Sequence, residues 1–131
     1  MPDRIRVLAV ARMEILRDGL SALIDSHPDM DLVGASTTAD DALRIATDLL
    51  PLVILVDLDL PSSEGIAIIR GILAANDAAC PIGLITNEWD EVGREALQAG
   101  AWSCVAKDRL MSDLAAAIRR GCQMSPRNQG G

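Results

Sequence analysis

The sequence predicts an α/β domain in which five βα units in a row wind a parallel sheet with helices on both faces. Three observations predict it. Short β-branched runs alternate with longer segments of helical period. Residues 52–56 are apolar without a break, as suits a central parallel strand covered on both sides. The chain has 131 residues, half of them apolar and 24% charged, enough for one cored domain. Right-handed crossovers then give a doubly wound (βα)5 sheet of order 2-1-3-4-5.

Each element follows from its local pattern. Residues 5–10 read as a buried strand. Residues 14–26 form a helix with Ile15, Leu16, Gly19, Leu20, Leu23 and Ile24 on one 3.6-residue stripe. Pro28 ends it, because proline disfavours helical geometry in the residue before it. Residues 32–35 are a short second strand. Thr38 caps a helix running to about Leu49, with Ala39, Leu43, Ala46 and Leu50 inward. Pro51 separates it from the third strand. A helix starting in Ser62-Ser63-Glu64-Gly65 turns Ile66, Ile69, Ile72 and Leu73 inward. Residues 82–86 are the fourth strand, and 88–99 a helix closed by Gly100 as a left-handed cap. Residues 102–106 are the fifth strand, and 110–121 the last helix, with Leu114 and Ile118 inward. The domain is expected over residues 1–122. Residues 123–131 are expected to be a flexible tail or the start of a linker.

Composition removes several function classes. Twelve Lys and Arg stand against 19 Asp and Glu, a net charge of −7. An acidic chain repels phosphate backbones, so direct nucleic-acid binding is not expected. There is no Phe or Tyr, and the two Trp, Trp89 and Trp102, make no stacking platform for bases. They read as rim or core packing as readily as partner anchors. No apolar run reaches the roughly 18–20 residues of a membrane span. The apolar stretch before Arg12 is too short for a secretory signal. Cys80, Cys104 and Cys122 are odd in number and lack a Cys-x-x-Cys pair. They fit small, reduced, buried thiols in a cytoplasmic protein. The lone His27 sits in a turn, poorly placed for a hydrolase triad. No glycine-rich phosphate loop follows a strand, which argues against a nucleotide enzyme.

In doubly wound sheets, ligands bind past the carboxyl ends of the strands, where strand order reverses. The residues expected there are Ala11 and Arg12 after strand 1, Asp57 and Asp59 after strand 3, Thr86 after strand 4 and Lys107 after strand 5. A carboxylate acceptor with a hydroxyl and an ammonium beside it is equipment for handling a phosphoryl group. Taken singly, Asp57 is a loop cap, Thr86 a strand-end hydroxyl and Lys107 a solvated lysine. Their joint placement favours the site. Asp59 and Glu14 could replace missing carboxylates, but read more simply as solvated or as supporting the next helix N-terminus.

Residues 56–65 (Val-Asp-Leu-Asp-Leu-Pro-Ser-Ser-Glu-Gly), Leu84-Ile85-Thr86, Ala99-Gly100-Ala101 and Lys107-Asp108 resemble receiver domains of bacterial two-component response regulators. Arg17-Asp18-Gly19-Leu20 and the ending Ala115 to Arg119 resemble the branch that usually carries a helix-turn-helix DNA-binding half. The likeness covers about residues 5–120. It implies a flavodoxin-like receiver fold, Asp57 as phospho-acceptor, Thr86 as switch threonine and Lys107 as pocket lysine. It also implies a sensor histidine kinase or other phosphodonor as partner. A homodimer through the first and last helices is expected too, although ordinary packing of those helices on the sheet explains their stripes equally well. The branch favours a receiver half of a longer transcription factor over a single-domain regulator.

The sequence departs from the pattern in three places. The acidic pair that holds Mg²⁺ in the family is replaced by Ala11 and Arg12, Cys104 stands where an aromatic is usual, and Asp108 follows the lysine. The family pocket has three carboxylates and one lysine. Here Asp57 faces Arg12 and Lys107, a formal +1. Mg²⁺ demands near-octahedral oxygens, and only Asp57 and Asp59 are candidate ligands. A guanidinium about 4 Å from a carboxylate gains ~4 kcal/mol of gross Coulomb energy at an effective dielectric of ~20. The expectation is therefore an Arg12–Asp57 ion pair, weak or absent Mg²⁺ binding, no other cofactor, and impaired metal-dependent phosphorylation. Arg12 pointing to solvent is the alternative. At the level of function, the alternative is a degenerate receiver working as a phosphorylation-independent interaction module. Neither reading makes the chain an enzyme.

Overall fold

A computed structural model describes residues 4–60, 64–86 and 91–124. Five parallel strands, β1 (Ile5–Val10), β2 (Met30–Ser36), β3 (Val53–Asp57), β4 (Cys80–Ile85) and β5 (Ser103–Ala106), form one sheet of order β2-β1-β3-β4-β5. Helices α1 (Glu14–Asp25), α2 (Ala39–Leu49), α3 (Glu64–Ala75), α4 (Glu91–Ala99) and α5 (Ala115–Met124) connect and cover them. This is the predicted flavodoxin-like, doubly wound α/β fold.

Strand alternation divides the core into two layers. Leu8, Val10, Ile54 and Val56 face α2, α3 and α4, where they meet Ala42, Ala46, Ile69, Ile72 and Ala96. Val7, Ala9, Val53, Leu55, Ile82 and Leu84 face α1 and α5, meeting Leu20, Leu23, Ile24, Leu114 and Ile118. Each fully buried Leu or Ile contributes roughly 1.5–3 kcal/mol, so both layers anchor the strand ends firmly. The β1–β2 register slips between Val7 and Leu8, which pair with Leu32 and Gly34.

Local chemistry sets the boundaries. Thr38 Oγ1 accepts from the Asp41 N–H, capping α2 as predicted. Gly100 has φ +115°, and a Cβ there would stand 2.4 Å from Leu73 Cδ1. Only glycine fits this helix end.

Several details differ from the sequence expectations. The second strand begins at Met30 and the fourth at Cys80, because pairing with β1 and β3 extends both. Ile15 and Gly19 lie on the solvent side of α1, where Ile15 is 77% exposed. The true inward stripe is the narrower Leu20–Leu23–Ile24, with Leu16 half-buried. Leu50 is exposed as the left-handed cap of α2 (φ 46°), and Ala42 takes the inward place. The last helix does not start as one: a 3₁₀ turn (Lys107–Arg109) and a π turn (Leu110–Leu114) precede α5. Trp89, residues 61–63 and the tail 125–131 lie outside the described residues. No helix among the described residues is long and apolar enough to cross a membrane.

Candidate functional site

The site lies where strand order reverses, between the carboxyl ends of β1 and β3, with β4 and β5 alongside. Asp57 is the last residue of β3 and only 4% exposed. The start of α3 presses against it. A Cβ on Gly65 would come within 3.0 Å of the Asp57 carbonyl oxygen, so the missing side chain lets the helix begin there. The flanking Leu58 and Leu60 are buried and pin the turn that follows.

The charged groups form a closed arrangement. Lys107 Nζ stands 2.7 Å from Asp57 Oδ1 and 2.7 Å from Asp59 Oδ2. The Asp59 N–H donates to Asp57 Oδ1 at 3.0 Å. Thr86 Oγ1 donates to Asp59 Oδ2, the same oxygen that receives Lys107. One ammonium thus serves two carboxylates, a formal −1. At 2.7 Å and an effective dielectric of ~20, each pair gains about 6 kcal/mol of gross Coulomb energy, much of it returned as desolvation. Burial works to raise the Asp59 carboxyl, but the bonds from Lys107 and Thr86 prevail and hold it below its ordinary 3.8. Burial works to lower Lys107, and Asp57 and Asp59 together lift it above 10.5 instead.

Asp57, Asp59, Thr86 and Lys107 therefore come together as expected from their positions, and Asp59 is no merely solvated carboxylate. The Arg12–Asp57 pair is a correction. Ala11 is fully buried, and Arg12, one residue on, is exposed and makes no ion pair with Asp57. Its backbone carbonyl is instead held at 2.7 Å by Arg17 Nη1, which also donates to the Ala11 carbonyl at 2.9 Å. Lys107 is the pocket's cation among the described residues; losing Arg12 takes the expected +1 to 0, and Asp59, held by Lys107, takes it to −1.

Arg17 and Glu64 are positioning residues that the sequence reading missed. Arg17 reaches back to fix the β1–α1 connection, and Glu64 Oε1 accepts from the Ala39 N–H at 3.3 Å, tying α3 to α2. Both act through backbone groups, and sequence spacing carries no sign of that.

The donors a Mg²⁺ ion would meet here are Asp57 and Asp59, both already sharing Lys107, with no acidic pair after β1; the described residues hold no group of three or more His, Cys, Asp or Glu side chains suited to a metal. The cysteines are placed for packing. Burial, helped by Cys122, pushes Cys80 up to about 12, and burial also raises Cys104.

Comparison with known proteins identifies the family. A family model described as the response regulator receiver domain matches residues 7–119. Transcriptional regulatory protein LiaR of Bacillus subtilis (strain 168) is 30% identical over 94% of this chain and 58% of its own length. The response regulator domain of Thermotoga maritima CheB superposes with a TM-score of 0.85 at 29% identity, covering 94% of this chain and 99% of that one. A LuxR-family two-component response regulator from Aurantimonas sp. SI85-9A1 gives 0.84 at 26% identity, covering 98% and 94%. The chain thus spans little more than half the length of LiaR.

Proposed function

The chain belongs to the response regulator receiver domains of two-component signalling, and from that premise we propose that Asp57 is its phosphoryl acceptor, slow to react and independent of Mg²⁺. Residues 1–122 would form the receiver, and 123–131 a tail or linker. Output would be transcriptional, through a further domain or a partner, as the names LiaR and LuxR family suggest.

The observation that carries this reading is Lys107 Nζ at 2.7 Å from Asp57 Oδ1, at the crevice where the sheet reverses. A carboxylate oxygen of Asp57 attacks phosphorus while the donor's bond to phosphorus breaks; a histidine leaving group takes up a proton, and the carboxylate of an acyl phosphate leaves as its anion. The donor is a phosphohistidine of a sensor kinase or a small acyl phosphate. Lys107 balances charge on the transferring group, and Thr86 supplies a hydroxyl donor at its far side. Without a fitting metal, that positioning and one ammonium are what the chain offers, so the rate is low.

A second reading, a receiver that works by partner contacts alone, is favoured by the 4% exposure of Asp57. In either case the partner we favour is a second copy, through α1 and α5. Nucleic acid is not a direct partner of this acidic domain.

Incubation with acetyl phosphate or beryllofluoride, with and without Mg²⁺, separates the readings by intact mass and NMR. The expected result is a single slow adduct, absent in Asp57→Asn and little changed by Mg²⁺. A fast adduct that needs Mg²⁺ would overturn the metal-independent acceptor, and no adduct at all would leave the interaction module.

A further inference from the structure

We propose that Asp59 is a built-in anion that fills the seat in which this domain would hold a transferred phosphoryl group. The inference rests on the reading of Asp57, Thr86 and Lys107 given above and deepens it. In that reading Thr86 and Lys107 are the donors to phosphoryl oxygens. Here both donate to one atom, Asp59 Oδ2. A threonine has a single hydroxyl proton, so Thr86 has nothing left for a phosphoryl oxygen while Asp59 is in place. Lys107 has three, of which Asp57 and Asp59 take two.

Asp59 is suited to this by its position. Two residues beyond Asp57, its backbone N–H holds Asp57 Oδ1 at 3.0 Å while its side chain crosses to Thr86 and Lys107. One residue thus fixes the acceptor and covers it. Its side chain is 35% exposed, against 6% for Asp57, so the cover can swing to water while the acceptor stays. The competition is also electrostatic. A phosphoryl group on Asp57 would bring further negative charge against the Asp59 carboxylate in a pocket already at −1. Two arrangements follow. With Asp59 in, Thr86 is drawn to the pocket as a bound oxyanion would draw it, with no phosphodonor needed. With Asp59 out, the seat admits a tetrahedral oxyanion carried by Asp57.

Methyl NMR of Thr86 tests this in the intact chain, with beryllofluoride as the probe, in the wild type, Asp59→Asn, Asp59→Ala and Asp57→Asn. Asp59→Ala is expected to move the Thr86 signal before any probe is added, and beryllofluoride then returns it towards the wild-type position. Asp59→Asn, which retains an acceptor oxygen but loses the charge, is expected to fall between. Beryllofluoride is expected to bind Asp59→Ala at least about tenfold more tightly than the wild type. A Thr86 signal that is the same in the wild type and Asp59→Ala overturns the proposal, as does equal affinity in the two. A Thr86 signal that moves in Asp59→Ala without any beryllofluoride response upholds the hold of Asp59 on Thr86. It strikes instead at Asp57 as acceptor.

Discussion

Between Asp57 and Asp59, Lys107 supplies a single positive charge shared by two carboxylates. Its folded pKa is raised above 10.5, so its stabilising share is full below that value and fades as pH climbs through the folded one. The Asp59 pKa is depressed below 3.8, so its share is full above that value and fades as pH falls through the folded one. Lys107→Met leaves two carboxylates without a cation and is expected to cost about 1–3 kcal/mol at pH 7. Solvent at the half-exposed Asp59 keeps this near the low end. The difference from wild type, read by urea unfolding, should be flat from above pH 3.8 to pH 10.5 and shrink outside that window. A difference that grows towards pH 3 would refute the pairing. The sequence placed Asp57, Thr86 and Lys107 correctly, because all three sit at strand ends and strand ends are legible. It misplaced Arg12, because which of two neighbours turns inward after β1 is decided by packing. Ala11 took the buried place and Arg12 the solvent. The role of Asp59 was half legible: two carboxylates at i and i+2 share one lysine, but that lysine lies 48 positions away.

At the scale of elements, two glycines of opposite kind give opposite predictions. Gly19 lies within α1 on its exposed side, and a Cβ there meets nothing within 4 Å. Gly19→Ala should raise stability by about 0.5–1 kcal/mol, since alanine loses less backbone entropy in a helix. Gly100 has φ +115° and its Cβ would strike Leu73. Gly100→Ala should therefore lower stability by more than about 1 kcal/mol. Thermal unfolding of the two variants beside the wild type checks both signs. Gly100 was readable from sequence because a cap glycine follows the last periodic residue of a helix. Gly19 was read as inward because Ile15 and Gly19 continue the spacing of Leu16, Leu20 and Leu23 one residue out of phase. Apolar residues on both sides of a helix blur its period. The turns before α5 were unreadable for another reason. Lys107 is pulled to the pocket by Asp57 and Asp59, and the chain reaches helical geometry only after 3₁₀ and π turns.

At the scale of the molecule, α1 and α5 lie on one face of the sheet and both begin at its carboxyl edge. Exposed apolar residues stand at that end, Ile15 of α1 at 77% and Met111 of the π turn before α5 at 87% exposed. The exposed charges of α1 are acidic (Glu14, Asp18, Asp25), whereas α5 carries no acid, an exposed Arg120, and Arg119, which already pairs with Asp29. In the dimer proposed above, a two-fold axis would set α1 of one copy against α5 of the other, so an acidic helix would meet a basic one in each of two equivalent contacts. Like-to-like pairing of either helix would repel. Apolar burial would supply affinity, and charge would supply register and salt sensitivity. Sedimentation should thus show a concentration-dependent dimer that weakens between low and high salt. Ile15→Asp, placed outside the core, should weaken it by about tenfold or more while leaving the unfolding transition near that of the wild type. Arg120→Glu should act in the same direction, and pairing it with Asp18→Lys should restore part of the loss, because the exchanged charges still complement across the axis. A monomer at every concentration, or a dimer indifferent to all three changes, would place the interface elsewhere.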